Sequence, residues 1–240
     1  MQIFYSIKKK FKDLKSIKKY NIWDTEDYRN HIKKKFKKKL NHNYFFSVLN
    51  ILNFYYQKKK ILILDIGGGA GEYYYKKFFQ KNNNHKIVIL DNKKITNLGI
   101  KKYKKLKKVR FINNLNELKN KKISFLLFSS VAQYFEKINS EIKKYLYLNP
   151  DFIILEDFHA SKNKSFVTYQ KFFKYKIPVK FHEINKIIIF LKKNNYELIY
   201  KSAFLPLIKG KFQFYNMSNF PKANRLNNTY NLLFARIKNQ

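Results

Sequence analysis

The chain has 240 residues, 45% of them hydrophobic and 18% aromatic, so it can bury the core of one α/β domain with a short appendage, and wholesale disorder is excluded. The sequence contains no cysteine, which excludes disulfides, thiolate metal sites and cysteine nucleophiles. The 5 histidines show no spacing typical of metal ligands, so we predict no metal site.

Lysine and arginine number 52 against 15 acidic residues, which gives a formal net charge of +37. Such a charge attracts phosphates and anionic lipids, but nearly all of it is lysine, whereas evolved phosphate sites lean on arginine. Compositional drift and selection for polyanion binding therefore both stay open, as does weak contact with a membrane surface. Neither a secretory signal nor an apolar run long enough to span a membrane is present, so we expect a cytoplasmic protein.

Residues 1–59 are predicted to form a basic helical appendage. Thr25, followed by Glu26 and Asp27, is typical of a helix start, because a capping hydroxyl precedes acids in the first turn. Apolar residues then recur every four positions from Ile32 to Leu40, and the segment 44–56 is apolar nearly all round. This pattern predicts an exposed helix that leads into a buried one.

From residue 60 onward, short apolar runs alternate with segments of helical length, and polar residues follow each run. The runs at 61–64, 86–90, 109–112, 123–128 and 152–155 predict buried parallel strands. Predicted helices follow at 72–81, 95–105, 138–146 and 186–195, and two more strands at 196–204 and 230–237. We therefore predict one domain at 60–240 with an insertion at 158–185: a Rossmann-like, doubly wound seven-stranded sheet, mostly parallel, with an antiparallel C-terminal strand. This arrangement of strands is the outline of a methyltransferase domain.

A glycine cluster directly follows the first of these strands. It runs from Asp65 to Gly71 with glycine at positions 67, 68, 69 and 71. Glycine permits a tight turn that presses its backbone against a ligand, and the next helix presents N–H groups to that ligand. A dinucleotide fingerprint would need a further glycine at position 72 or 74, and these positions hold Glu72 and Tyr74.

The spacing is instead acid-x-Gly67-x-Gly69-x-Gly71, which is typical of class I S-adenosylmethionine-dependent methyltransferases. Asp65 can then receive the cationic amino-acid portion of that cofactor. Asp91, which ends the second strand 20 residues after Gly71, can accept both ribose hydroxyls. A plain strand–helix turn is the competing explanation for the glycines, and an ordinary strand-ending acid is the competing explanation for Asp91.

Beyond this motif, the sequence resembles a little-characterised, mostly bacterial family of class I methyltransferases whose genes often lie beside glycan-biosynthesis genes. The resemblance rests on Trp23 with its acidic helix start, on 63–75, on 129–134 and on Gln170 ahead of Ile177 and Pro178. It implies the fold and S-adenosylmethionine as cofactor, and it leaves the substrate unnamed.

If the chain is such a methyltransferase, Asn114 follows the third strand, where related enzymes often hold the adenine amino group of the cofactor. The alternative is that Asn114 is an ordinary surface asparagine. Ser130, with Ser129, ends the fourth strand, where we expect it to face the transferred methyl group. No proline follows, which argues against methylation of a nucleic-acid base nitrogen, and the lack of cysteine excludes methylation of pyrimidine C5.

Methyl transfer to a hydroxyl needs a base or an acceptor that is already ionised. The candidates for a catalytic base are Asp157, His159 and His182, each of which could instead be a surface or capping residue. Our leading hypothesis is methyl transfer to a hydroxyl of a small molecule or glycan precursor. The alternatives are an RNA methyltransferase that uses the basic surface and a non-catalytic binding module. The oligomeric state is not indicated.

Overall fold

A computed structural model of the chain describes residues 4–8, 22–37, 60–71, 85–119, 121–172, 174–205, 207–208, 211–212, 215–226 and 228–237. The helices predicted at 44–56 and 72–81 lie outside these ranges. The strands in chain order are β1 (Phe4–Lys8), β2 (Leu62–Ile66), β3 (Lys86–Leu90), β4 (Val109–Ile112), β5 (Phe125–Ser129), β6 (Phe152–Phe158), β7 (Ala160–Ser161), β8 (Phe166–Phe172), β9 (Tyr175–Glu183), β10 (Tyr196–Phe204), β11 (Leu207–Ile208), β12 (Lys211–Phe212) and β13 (Thr229–Arg236).

Seven of these strands form one sheet in the order β10-β13-β6-β5-β2-β3-β4. Strands β2 to β6 pair in parallel, in the registers Leu62↔Lys86, Ile87↔Val109, Ile63↔Phe125 and Phe125↔Phe152. Strand β10 pairs antiparallel with β13. The predicted sheet, mostly parallel with an antiparallel C-terminal pair, is confirmed.

The helices that the structure describes are α1 (Glu26–Lys37), α2 (Lys93–Tyr103), α3 (Ile138–Lys143) and α4 (Ile184–Lys192). The predicted start of α1 is confirmed, because Oγ1 of Thr25 accepts the backbone N–H of Tyr28 at 3.3 Å. Helix α2 begins two residues earlier than predicted, because Asn92 caps it by accepting the N–H of Ile95 at 3.1 Å. Among the described residues, none of these helices is long and apolar enough to cross a membrane.

A second sheet has four strands in the order β1-β8-β9-β7. Strand β1 pairs antiparallel with β8, and β8 pairs antiparallel with β9, so the insertion at 158–185 is largely a hairpin. The prediction of a helical appendage is wrong for residues 4–8. These residues form a strand because β8, more than 150 residues away, supplies its partner, and Phe4 places its ring in the core.

The chain divides into two compact units. One contains Met1–Lys19, Ser130–Lys144 and Asp157–Gln240; the other contains Tyr20–Ser129 and Tyr145–Glu156. In the first unit, an apolar cluster lies against the small sheet and includes Phe4, Phe166 and Phe181. In the second, the strands β2, β3 and β5 supply fully buried side chains such as Leu64, Ile87 and Leu126. The core residues of parallel strands are nearly all aliphatic or aromatic, as expected for strands covered on both faces.

Candidate functional site

The turn after β2 holds three glycines in the left-handed backbone region: Gly67 (φ 68°), Gly69 (φ 64°) and Gly71 (φ 75°). These are the three positions that the acid-x-Gly-x-Gly-x-Gly spacing singled out, and side-chain-bearing residues rarely adopt this backbone. The N–H of Gly67 donates to the carbonyl oxygen of Leu90 at 2.8 Å, which fixes the start of the turn to the end of β3. The backbone conformation of the turn therefore requires glycine at positions 67, 69 and 71.

Asp65 lies beneath this turn. Its side chain is buried, and a Cβ placed on Gly68 would overlap the Oδ2 and Cγ atoms of Asp65. Gly68 is therefore the glycine that leaves room for the carboxylate, a role that the spacing motif does not include. The contact shows that Asp65 packs directly against the backbone of the turn.

Asp91 ties the same turn to the end of β3. Its Oδ2 accepts the N–H of Gly69 at 2.9 Å, and its Oδ1 accepts the N–H of Asn92 at 2.7 Å. Oδ1 also accepts from Nδ2 of Asn92 at 3.2 Å, and the carboxylate is half-buried. Asp91 thus holds the glycine turn at the end of β3.

Asn114 is exposed and caps the short 3₁₀ helix Leu115–Leu118. Its Oδ1 accepts the N–H of Asn116 at 2.9 Å, which leaves one lone pair on that oxygen. The capping contact gives Asn114 a structural role. The adenine contact stays a prediction.

A second polar cluster lies in the other unit, around Ser130 and Asp157. Both residues have positive φ, 52° and 48°. The other described non-glycine residues with positive φ are two asparagines, and asparagine and aspartate both tolerate this region, so Ser130 is the unusual residue. Oγ of Ser130 donates to Oδ2 of Asp157 at 2.8 Å. Such backbone conformations cost roughly 1–3 kcal/mol each and are concentrated at functional sites.

Further hydroxyl groups converge on Asp157. Oγ1 of Thr229 donates to Oδ1 of Asp157 at 2.6 Å, and the Tyr215 hydroxyl donates to the same carboxyl group. The backbone N–H of Asp157 donates to Oδ1 of Asn231 at 3.3 Å. Burial raises the pKa of Asp157 to about 6, although the hydrogen bonds from Thr229, Ser130 and Tyr215 each lower it.

His159 and His182 are both buried in the same unit. Burial lowers the pKa of each to about 3; the neighbouring charge of His182 adds to the effect at His159, and that of Lys180 adds to it at His182. Nε2 of His182 donates to the carbonyl oxygen of Ala132 at 3.1 Å. Nε2 of His159 lies 3.7 Å from Oδ1 of Asp157, too far for a hydrogen bond. Both imidazoles are therefore neutral near pH 7, and neither forms an ion pair with Asp157.

Aromatic rings enclose His159. Phe181 stacks on it with ring centroids 4.9 Å apart, and Phe4 and Tyr215 contact it edge-on. Its Nδ1 is buried and has no hydrogen-bond partner among the described residues. The structure thus brings Asp157 and His159 together and places His182 on a backbone carbonyl.

The sequence did not predict that Tyr215, Thr229 and Asn231 lie around Asp157. One available signal was Asn231, a polar residue inside the apolar run of the last strand. Tyr215 and Thr229 carry no comparable signal, because their relation to Asp157 exists only in three dimensions. Among the described residues, no group of His, Asp and Glu side chains could hold a metal ion.

No family model matches the sequence, and no curated protein matches it. Solved structures do match in fold. An S-adenosylmethionine-dependent methyltransferase from Methanosarcina mazei superposes with a TM-score of 0.53 at 13% identity, over 78% of this chain and 97% of that one.

Two further matches contain bound S-adenosylhomocysteine. The 1,6-didemethyltoxoflavin-N1-methyltransferase of Burkholderia thailandensis has a TM-score of 0.55 at 12% identity, over 89% of this chain and 86% of that one. The magnesium protoporphyrin IX methyltransferase of Synechocystis has a TM-score of 0.55 at 14% identity, over 88% and 85%. The chain has the Rossmann-like fold of S-adenosylmethionine-dependent methyltransferases.

Proposed function

We propose that the protein binds S-adenosylmethionine and transfers its methyl group to a hydroxyl of a small molecule or glycan precursor in the cytoplasm. The observation that carries the proposal is the turn after β2, in which Gly67, Gly69 and Gly71 all have positive φ and Asp91 accepts the N–H of Gly69. The fold supports it, since two of the matching methyltransferases hold S-adenosylhomocysteine.

The residues of this turn fit the cofactor. The backbone of Gly67, Gly69 and Gly71 would face its amino-acid portion, and Asp65, buried against Gly68, would receive the cationic amino group. Asp91, at the end of β3, would accept from the ribose hydroxyls. When bound, the cofactor supplies an electrophilic methyl group. Asn114 at the adenine and Ser130 near the methyl group complete the proposed set.

The chemistry after β5 and β6 supports a hydroxyl acceptor. No proline follows Ser130, so the rigid proline box that grips a planar nitrogen is missing from the sequence. A carboxyl group with a pKa of about 6 at Asp157 suits proton removal from a hydroxyl. A small acceptor also agrees with the substrates in the names of the two matching enzymes from Burkholderia and Synechocystis.

Calorimetry with S-adenosylhomocysteine tests the cofactor site. We expect wild-type protein to bind it, and Asp91→Ala to bind it roughly 10- to 100-fold more weakly, because a charge-assisted hydrogen bond contributes about 1.5–3 kcal/mol. Asp151→Ala is the matched control, since it also removes one carboxylate, but ahead of β6 in a surface ion pair with Lys122. Equal affinity in Asp91→Ala and Asp151→Ala would contradict the site, and no binding by wild type would contradict the proposed function.

The net charge of +37 favours a second candidate, an RNA methyltransferase. Contact with many phosphates releases counterions, so the affinity for single-stranded RNA should fall about 300-fold or more between 50 and 200 mM salt if 6 or more phosphates are bound. A binding assay with single-stranded RNA over that salt range separates the candidates. Weak RNA binding with a shallow salt dependence would leave the hydroxyl of a small molecule as the acceptor.

A further inference from the structure

Asp157 occupies an energetically costly position at the carboxyl end of β6. Its backbone has a φ of 48°, and the residue that donates to it, Ser130, has a φ of 52°. Serine rarely adopts this backbone region, so Ser130 in particular has a conformational cost in the geometry that brings the two side chains together. The carboxyl group is also buried, with a side chain that is 11% exposed.

The donors on Asp157 come from three distant parts of the chain. Ser130 follows β5, Thr229 begins β13, and Tyr215 lies between β12 and β13. All three are neutral hydroxyls. The histidine nearest to the carboxyl group, His159, is neutral as well, since burial lowers its pKa to about 3.

The groups recorded around Asp157 are hydroxyls and a neutral imidazole. Hydroxyl donors orient a carboxylate without neutralising it. The result is a carboxyl group whose pKa stays near 6, close to the value at which a general base works best in the neutral pH range.

We propose that Asp157 is the catalytic base that accepts the proton of the acceptor hydroxyl, and that Tyr215, Ser130 and Thr229 are positioning residues that orient its carboxylate. The proposal rests on the proposed methyl transfer and deepens it. In the step, the acceptor oxygen forms a bond to the methyl carbon, the bond between that carbon and sulfur breaks, and the hydroxyl proton moves to Asp157. The products are a methyl ether and S-adenosylhomocysteine, and Asp157 then releases the proton to water.

This assignment narrows the acceptor to a hydroxyl that is neutral when it binds, since an acceptor that is already ionised needs no base. It also separates the roles of the two residues that lie together. Asp157 ionises near neutrality, whereas His159, with a pKa of about 3, is a weak base and contributes packing against Phe181 and Tyr215.

The test compares label transfer with cofactor affinity. Wild type, Asp157→Asn, Asp157→Glu, Tyr215→Phe and the control Asp151→Asn are incubated with S-adenosylmethionine carrying a radioactive methyl group and with the small-molecule fraction of a bacterial extract. Initial rates are measured between pH 5 and 9, and the affinity for S-adenosylhomocysteine is measured by calorimetry. Wild type should lose activity as the pH falls through about 6.

We expect Asp157→Asn to lower the rate by about 10²- to 10⁴-fold while its affinity for S-adenosylhomocysteine stays that of wild type. Asp157→Glu keeps a carboxyl group, so it should restore part of the rate. It should also restore the acidic limb of the pH–rate profile, which is the loss of activity as the pH falls. Tyr215→Phe should remain active but move that limb to higher pH, because a hydroxyl donor that lowers the pKa of Asp157 is lost. Asp151→Asn should behave as wild type.

A wild-type rate in Asp157→Asn, or loss of cofactor binding in that variant, would overturn the assignment of the base. An acidic limb that does not shift in Tyr215→Phe would overturn the positioning role of Tyr215. If Asp157→Asn fails to fold, the pH–rate profile of Tyr215→Phe still tests whether Asp157 is the base. If wild-type protein binds no S-adenosylhomocysteine or transfers no label, the proposed function itself has failed, which is a different result from an active Asp157→Asn.

Discussion

At the scale of single residues, the raised pKa of Asp157 makes stability depend on pH in a specific direction. Its pKa rises from 3.8 to about 6 on folding. Between these two values the unfolded chain has released the proton of Asp157 and the folded protein still holds it. The free energy of unfolding therefore falls as the pH rises through this window and stays low above it.

We predict that Asp157→Asn removes this dependence. A rise in pKa from 3.8 to about 6 corresponds to about 3 kcal/mol, so the unfolding free energy of the variant relative to wild type should increase by up to that amount between about pH 4 and about pH 6. Urea unfolding of both proteins across this range measures it. The lowered pKa values of His159 and His182 act in the opposite direction, because they reduce the free energy of unfolding as the pH falls below 6.5. Both histidines are present in wild type and variant, so their contribution cancels in the difference. A difference that does not vary with pH would contradict the prediction.

The contact between Asp65 and Gly68 leads to a second prediction at this scale. Gly68→Ala would place a Cβ on the buried carboxylate, and overpacking of this kind costs about 1–3 kcal/mol. We expect the unfolding free energy to fall by that amount. In an Asp65→Ala background the same change should cost less, and a double-mutant cycle measures the difference. Equal costs in both backgrounds would show that the two residues do not constrain each other.

The two candidate clusters, the glycine turn and the surroundings of Asp157, differ in how far the sequence predicts them. The glycine turn is written in consecutive residues, 65–71, because its chemistry depends on local backbone geometry, and the spacing alone identified it. The surroundings of Asp157 are non-local: Ser130 lies 27 residues away along the chain and Thr229 lies 72 away. The sequence nominates Asp157 as a candidate, but its hydroxyl partners require the fold.

At the scale of elements, apolar runs predict the five parallel strands of the large sheet, because buried parallel strands need continuous hydrophobic sequence. The two C-terminal strands, β10 and β13, were also predicted, and they pair antiparallel. The small sheet was missed for two physical reasons. Strand β1 is short and pairs with a segment far along the chain. Strand β9 contains Pro178, which argues against a strand; the structure accommodates it because β7 pairs with β9 only at His182 and Glu183, beyond the proline.

Strand β1 should contribute strongly to stability in spite of its length. Phe4 is fully buried and packs on Phe181 and Tyr215, with ring centroids 5.3 and 5.2 Å away. We predict that Phe4→Ala lowers the unfolding free energy by about 3–5 kcal/mol, as for other buried phenylalanines. Ser6→Ala is the control, since Ser6 is exposed in the same strand and should change stability by less than about 0.5 kcal/mol. Similar effects of the two changes in chemical denaturation would show that β1 is not anchored in the core.

At the scale of the whole molecule, the formal net charge of +37 on 240 residues implies repulsion within the folded protein. Raising the salt concentration from about 10 mM to about 150 mM shortens the Debye length from about 30 Å to about 8 Å, so the repulsion is screened. We predict that Tm rises over this range of sodium chloride, as measured by scanning calorimetry. A Tm that falls with added salt would mean that attractive ion pairs outweigh the repulsion.

Strand β13 has a consequence for how the protein is made. It lies between β10 and β6 in the large sheet, although both of those strands precede it in the chain. During synthesis on the ribosome, β6 and β10 emerge first and must wait with unpaired backbone edges until residues 229–236 arrive to fill the gap. Unpaired strand edges in a nascent chain can join to those of other chains. The interval between the emergence of residues 204 and 229 therefore leaves these strand edges open to misassembly.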